Sequence, residues 1–381
     1  MYWVIFLSVC FSISIYSMLI PSLNKVLAIV LTILCFLFFV DGYFNGIDWV
    51  NYYSGFNDNK DILSFLSSFE PLFAITFYSL KYLTEDYYYS VILIYAIGLV
   101  ALYRNSKDFA QKYDVNLALL ITLLIFVNGI DLFNDQLRQF LAFVCSLSAL
   151  RYVLLSRKKF YILSVLAVCF HYSAIVIFIL YPFVKRKKIQ VFWVGVFAAL
   201  LVIFFTVSQE ALFPLLSYLG HPGEVIGAKL AAYFSKFELK FGLLVIFDLL
   251  IIFRYILRVP TGSEFERIMW NGSFLAAILH ISFYFMPIFQ RFNPYFNVFY
   301  CLLFSHYFSS FFKRINRDGI FISLQIVVLL LSVNIGYFND PARPAIYSSY
   351  FVDYVSGRYN LDKDKVKRCN EFVTDIPFCR W

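Results

Sequence analysis

Charge is what this sequence has least of. Of 381 residues only 15% are Asp, Glu, Lys or Arg, while 61% are hydrophobic; an ordinary soluble domain is about a quarter charged. So few charges cannot cover a water-facing surface. A phosphate-cradling glycine loop, CxxC pairs and metal-ligand spacing are also missing. The first absence argues against a nucleotide-driven pump, and neither a metal nor any other cofactor is expected. Cys10, Cys35, Cys145, Cys169 and Cys301 sit singly in apolar runs and read as small hydrophobes. Cys369 and Cys379 lie in the polar C-terminal tail, where they can form a disulfide if it faces an oxidising compartment. The first apolar run, Tyr2 to Ile20, lacks a basic leader and a small-residue cleavage pattern, so it reads as a retained spanning helix.

What is abundant is apolar and aromatic, with 47 Phe and 29 Tyr. A tyrosine ring is apolar and its tip is wet, which suits membrane interfaces and sugar-stacking surfaces. A spanning helix needs about 20 apolar residues, with about 17 as the lower limit. Runs at 2–20, 25–41, 87–103, 116–131, 137–155, 189–207, 240–257, 268–287, 295–312 and 319–337 meet that requirement. The net charge of +8 comes from clusters between these runs, as the positive-inside rule demands, so nucleic acid is not an expected partner. The clusters are Arg104/Lys107/Lys112, Arg151/Arg157/Lys158/Lys159, Lys185/Arg186/Lys187/Lys188, Arg254/Arg258/Arg267 and Lys313/Arg314/Arg317. They mark the cytoplasmic side and put both termini outside.

Two stretches break the rhythm. Lys158–Lys159 and Lys185–Lys188 are separated by one apolar stretch, 160–184. One helix there would place a basic cluster outside, so a re-entrant hairpin with His171 and Ser173 near its apex is preferred over a short full span. Segment 71–84 is short and carries Lys81, and reads as an interfacial helix on the outer side. The expected fold is an all-α polytopic membrane protein, one integral membrane domain over 1–381, with about ten spanning helices plus the hairpin. Outer loops fall at 42–86, 128–136, 208–239 and 288–294, with an outer tail 338–381. Glu210, His221, Glu224, Lys229, Lys236 and Lys240 belong to the third loop.

Polar chemistry collects on that outer side. Arg138 opens an apolar run, where a charge costs a few kcal/mol unless it snorkels or is paired. Its planar fork suits a pyrophosphate, and Asp131, Asp135 and Gln136 are close enough in sequence to orient it. Arg291 lies between Pro287 and Pro294, on the side where positive-inside counting disfavours arginine. His171 sits in the apolar VCFHYSA, either as a hydrogen-bonded core residue or as a proton-transfer group. His280 and His306, in other helices, read as core residues. Asp48, Tyr52 and Glu70 share the first outer loop and pair carboxylates with an aromatic ring, as a sugar site does. Asn271-Gly272-Ser273 matches a glycosylation pattern but falls inside a spanning run, and is discarded.

In this order the constellations resemble the EpsG-like family of Wzy-type polysaccharide polymerases. The matching pieces are Asp48-x3-Tyr52, Glu70-Pro71, Arg138 opening a helix, Phe170-His171-x-Ser173-Ala174 between two basic clusters, and Arg291 with Tyr295. Ile47, not the family's common glycine, precedes Asp48. The resemblance implies a GT-C-like glycosyltransferase on the outer face of the bacterial inner membrane. It would transfer a growing glycan from undecaprenyl pyrophosphate to a lipid-linked repeat, as in O-antigen or exopolysaccharide assembly, without a metal. Arg138 and Arg291 would bind the pyrophosphate, and His171, Asp48 or Glu70 would activate the acceptor hydroxyl. Tyr52, Asp131, Asp135 and Tyr295 would contact substrate. A chain-length regulator and other glycan-assembly membrane proteins are the implied partners. The rivals are an O-antigen ligase, which usually carries one long outer loop, and a flippase or transporter, which tends to show repeated halves.

Overall fold

The computed structural model describes residues 2–42, 48–186, 189, 243–257, 263–284, 291–313, 349, 351 and 355. The runs expected at 189–207 and 319–337, the loop 208–239, nearly all of the tail and the Cys369/Cys379 pair lie outside the described residues. Among the described residues there are helices and no strands, as the apolar runs demand. They fall into two compact units, residues 1–175 holding one set of helices and 176–311 the other.

The first unit contains α1 (Tyr2–Leu19), α2 (Asn24–Asp41), α3 (Trp49–Asp58), α4 (Ile62–Ser68), α5 (Pro71–Thr84), α6 (Tyr87–Tyr113), α7 (Leu117–Ile130), α8 (Leu137–Arg151) and α9 (Arg157–Phe170). Pro21–Asp41 and Tyr87–Tyr113 are each long and apolar enough to cross a bilayer, and Trp3–Leu19 and Leu117–Gly129 are shorter apolar helices. Their polarity runs inside out. Val26, Ile29, Ile33 and Leu37 of α2 are exposed, whereas Ser14 and Ser17 of α1 are buried. Ser14 Oγ bonds Thr122 Oγ1 at 2.7 Å and Ser17 Oγ donates to Asn116 Oδ1 at 3.0 Å, tying α1 to α7. Small hydroxyl side chains between apolar helices are how helices associate in lipid, where burying apolar surface gains little. An exposed apolar rim around a hydroxyl-stitched interior is compatible with a membrane protein.

The segment 48–84 is mostly helical. Asp86 caps α6 by accepting from Tyr88 N and Tyr89 N, and Asp61 caps α4 in a capping box with Ser64. Lys81 of α5 donates to the carbonyls of Phe56 and, at 2.8 Å, Asn59, closing the end of α3. The lysine that shortens this apolar stretch in sequence therefore clasps two short helices together.

The second unit contains α10 (Ile177–Val184), α11 (Leu243–Leu257), α12 (Glu264–Tyr284) and α13 (Asn293–Lys313), numbered among the described residues. Asn271 is fully buried: its amide donates to the carbonyls of Val184 and Arg186, and Tyr255 OH donates to its oxygen at 2.7 Å. That burial removes it as a glycosylation acceptor. Beside it, a Cβ on Gly272 would meet the Phe299 ring at its root atom. Gly272→Ala is accordingly expected to destabilise the protein by about 1–3 kcal/mol through overpacking. The check is the midpoint for loss of the monodisperse peak when detergent-solubilised protein is heated. A wild-type midpoint would mean that α13 yields without cost.

Candidate active site

The site begins at a helix boundary. Pro71 has no amide proton to donate and occupies the first turn of α5, which fixes Glu70 as the preceding cap residue. The Glu70 side chain does not cap its own helix. It is buried, and its Oε2 instead accepts from Arg138 Nη1 at 2.9 Å. Arg138 is the second residue of α8, where the positive end of the helix disfavours a cation by about 0.3–1 kcal/mol. An arginine there therefore needs partners, and it has them. Besides Glu70, the guanidinium lies over the rings of Tyr52 and Phe69, 5.6 and 5.8 Å from their centroids, and Nε points to Tyr52 OH at 3.5 Å.

Tyr52 is buried among Phe69 and Phe73. Burial pushes its phenol well above the usual range, Asp48 and Asp135 add to this, and Arg138 opposes it. The hydroxyl thus stays a protonated donor. Asp48, cap residue of α3, makes no side-chain cap bond. Its backbone amide donates to Asp135 Oδ1 at 2.7 Å. The sequence placed Asp131 and Asp135 as orienters of Arg138. In the structure Glu70 and Tyr52 hold the guanidinium, and Asp135 anchors the start of α3.

Asp131–Asp135 form a π-helical turn joining α7 to α8. It follows Gly129, whose φ of 71° with ψ of 176° is a region essentially restricted to glycine. The turn is pinned by Phe133, stacked on Phe39 at 5.4 Å, and by Tyr95 OH donating to Asn134 O at 3.3 Å. Both polar atoms of the Asn134 side chain are buried without a hydrogen-bond partner among the described residues. Leaving one such group unmet costs about 1–3 kcal/mol. In the sequence Asn134 stands between Asp131 and Asp135 with no local signal of its own.

His171 ends α9 in an extended conformation, and a 3-10 turn, Tyr172–Val176, follows. Its Nδ1 accepts from Ser173 N at 3.1 Å and lies 2.7 Å from Ser173 Oγ. The apolar stretch 160–184 is thus broken at the expected residue. An Nδ1 that accepts a backbone proton assigns the neutral ring's own proton to Nε2.

The structure gathers Asp48, Tyr52, Glu70, Asp135 and Arg138 in the first unit, whose α9, packed on α8 and α5, carries His171. Arg291 and Tyr295 belong to the second unit. Arg291 begins the turn into α13 and Tyr295 is buried in that helix. The second unit holds a further cluster. Asp248 of α11 is fully buried; its Oδ2 meets His280 Nδ1 and its Oδ1 accepts from Tyr300 OH at 2.7 Å. His280 was read as a core residue. The signal that could have found the cluster is Asp248, an acid inside the apolar run LLVIFDLLIIF.

No group of three or more His, Cys, Asp or Glu able to hold a metal occurs among the described residues. No curated protein and no solved structure matches the chain. A family model does, that of the EpsG family, over residues 25–356, which includes every residue of both clusters. EpsG-like proteins are of the polysaccharide polymerase type. The chain belongs to the EpsG family.

Proposed function

We propose that this protein is a Wzy-type glycosyltransferase that polymerises lipid-linked repeat units at the outer face of the bacterial inner membrane. The donor is a growing glycan on undecaprenyl pyrophosphate, and the acceptor is one repeat on the same lipid. The observation that carries the reading is the buried Glu70–Arg138–Tyr52 cluster at the N-terminus of α8, within a family of polymerase type. A guanidinium beside a helix N-terminus is a strong anion site, since fork and backbone amides point at the same charge. Glu70 and Tyr52 engage Nη1 and Nε; Nη2 is the edge that grips the pyrophosphate and stabilises it as it leaves.

Tyr52, Asp131, Asp135 and Tyr295 are assigned to the sugars, Arg291 to a phosphate, and His171, Asp48 or Glu70 to activation of the acceptor hydroxyl, each on its own surroundings. No metal takes part; arginine supplies the positive charge. The remaining architecture follows the same reading: one GT-C-like domain over 1–381, about ten spans, polar loops outside, and a re-entrant hairpin over 160–184. The hairpin has its own test. Cysteines placed singly at Arg157 and Lys187 should both be labelled only from the cytoplasm, and labelling of either from outside would replace the hairpin by a full span.

The test of the function is a ladder. Purified protein given lipid-linked repeat and excess chelator, without nucleotide, should extend it by whole repeats. Transfer of preformed polymer to a lipid A core without chain growth would make it a ligase. Movement of the repeat across vesicles without new bonds would make it a flippase.

A further inference from the structure

Residues 129–135 depart from regular helix three times over, directly before Arg138. Gly129 holds φ 71° and ψ 176°, a region essentially closed to residues with a Cβ. Asp131–Asp135 wind as a π-helical turn, a rare geometry found frequently at functional sites. Asn134 is 8% exposed, and its Oδ1 and Nδ2 are both sealed from water without a hydrogen-bond partner. No other side chain among the described residues has two such atoms.

The surroundings of Asn134 are pinned. Phe133 is fully buried against Phe39, Phe140 and Phe143. Asp135 Oδ1 accepts from the Asp48 amide, and the Asn134 carbonyl accepts from Tyr95 OH. What this stretch leaves unmet is the Asn134 carboxamide. Local folding gives no reason for it. Leucine, branched at the same atom, would fill the place without a polar group to desolvate. In a turn, asparagine ordinarily bonds the backbone two residues on, and here it does not. An asparagine whose burial opposes folding, on the stretch that carries Asp135 and Arg138, is the pattern of a residue retained for a ligand. The group itself defines that ligand. A carboxamide accepts through Oδ1 and donates through Nδ2, and a sugar with vicinal hydroxyls uses both: one hydroxyl donates to Oδ1 and the next accepts from Nδ2. A pyrophosphate offers acceptors alone and would leave Oδ1 unmet.

We propose that Asn134 recognises the sugar joined to the donor pyrophosphate, its side chain turning out of the sealed position to bond vicinal hydroxyls of that sugar. The proposal rests on the polymerase reading, in which Arg138, four residues on, grips the pyrophosphate. Because the resting carboxamide bonds to nothing, turning it breaks no hydrogen bond of its own. The two residues divide the donor between them. Arg138 holds what substrate and spent carrier share, the phosphates, and Asn134 reads what the carrier has lost. The site thereby tells a loaded lipid from undecaprenyl pyrophosphate, the product that has to leave.

The experiment is hydrogen–deuterium exchange on the wild-type protein in detergent, read over the amides of 131–135. The probes are the lipid-linked repeat, extracted from cells in which the gene is deleted, and undecaprenyl pyrophosphate at equal concentration. The repeat should slow these amides by about tenfold, the effect of one or two added hydrogen bonds on local opening, and the bare carrier should leave them unchanged. An equal response to the carrier, or none to the repeat, overturns the proposal. Asn134→Leu gives the second measurement. It should lower kcat/KM for ladder formation by about 10–10²-fold, while the heating midpoint of the solubilised protein stays at or above the wild-type value because an unmet carboxamide is gone. Wild-type kcat/KM, or a fall in midpoint that accounts for the lost activity, overturns the proposal. If leucine proves too bulky and no folded variant is obtained, the exchange comparison decides. A protein that builds no ladder but still answers the repeat and not the carrier loses the polymerase reading and keeps the sugar site. Ladder formation without that response keeps the reading and removes the site.

Discussion

Lysine in place of Arg138 is expected to cut ladder formation by at least about 10²-fold, nearly as far as alanine does. The reason is geometric. The native side chain bonds Glu70 through Nη1, approaches Tyr52 through Nε, and lies over two aromatic rings. A planar fork does all of this and still offers an edge to a phosphate, whereas an ammonium is a single point that goes to Glu70 or to the ligand. Alanine is the worse comparison for stability, since it strands the Glu70 carboxylate in a buried position, at about 3–5 kcal/mol. Both variants therefore need a folding check before rates are compared. Glu70→Gln separates the roles. If Glu70 only aims the guanidinium, the amide oxygen still accepts from Nη1 and activity falls by about tenfold or less. A loss as large as that of Arg138→Ala would make Glu70 the base. Full activity in Arg138→Lys would reduce the cluster to an ion pair that fastens α8 to α5.

At His171 two substitutions divide the side chain between them. Asparagine places Oδ1 where the imidazole has Nδ1, and an Asn side chain accepting from the amide two residues on is a common turn. His171→Asn should keep the break between α9 and α10 and lose only Nε2. Glutamine reaches the Nε2 position but does not form that turn. If Nε2–H stabilises the leaving group, folded His171→Asn should lose about 10²–10³-fold in turnover, the usual loss for one missing donor. His171→Gln should then retain the larger share of the rate. The opposite ranking, asparagine near wild type and glutamine poor, would make His171 a turn residue and nothing more. Turnover of lipid-linked repeat, normalised to monodisperse protein, gives the ranking directly.

Much of this was legible beforehand, because the strongest signals are physical ones. Apolar runs must become helices when no water can satisfy their backbone, and α1, α2, α6, α7, α8 and α9 lie where those runs lie. The break at His171 was read from basic clusters too close for an ordinary span. What spacing could not supply is pairing across distance. Nothing local says that Glu70 meets an arginine 68 residues later, or that Lys81 donates to the carbonyls of Phe56 and Asn59 at the end of α3. Asp131 and Asp135 looked like orienters of Arg138 because they are near it in sequence. The structure adds a partner that this spacing does not show, the Asp48 amide donating to Asp135 Oδ1 across 87 residues. Asp248 is visible in the sequence as an acid inside an apolar run, but its partners His280 and Tyr300 lie 32 and 52 residues away. The loop 208–239 lies outside the described residues and takes no part in the comparison.

The π-helical turn before α8 bears on how the chain can change length. Gly129 sets the backbone entering residues 131–135, and Arg138 sits three residues beyond their end. Removing one residue there would turn α8 by about 100°, at 3.6 residues per turn. The guanidinium would swing off Tyr52 and Glu70 although every side chain in the site remained. Insertions and deletions that a surface loop absorbs freely would here act as point lesions. Sequences that share this site should therefore keep a fixed interval from the glycine to the arginine, while the intervals from Tyr52 to Glu70 and from Glu70 to Arg138 are free to drift.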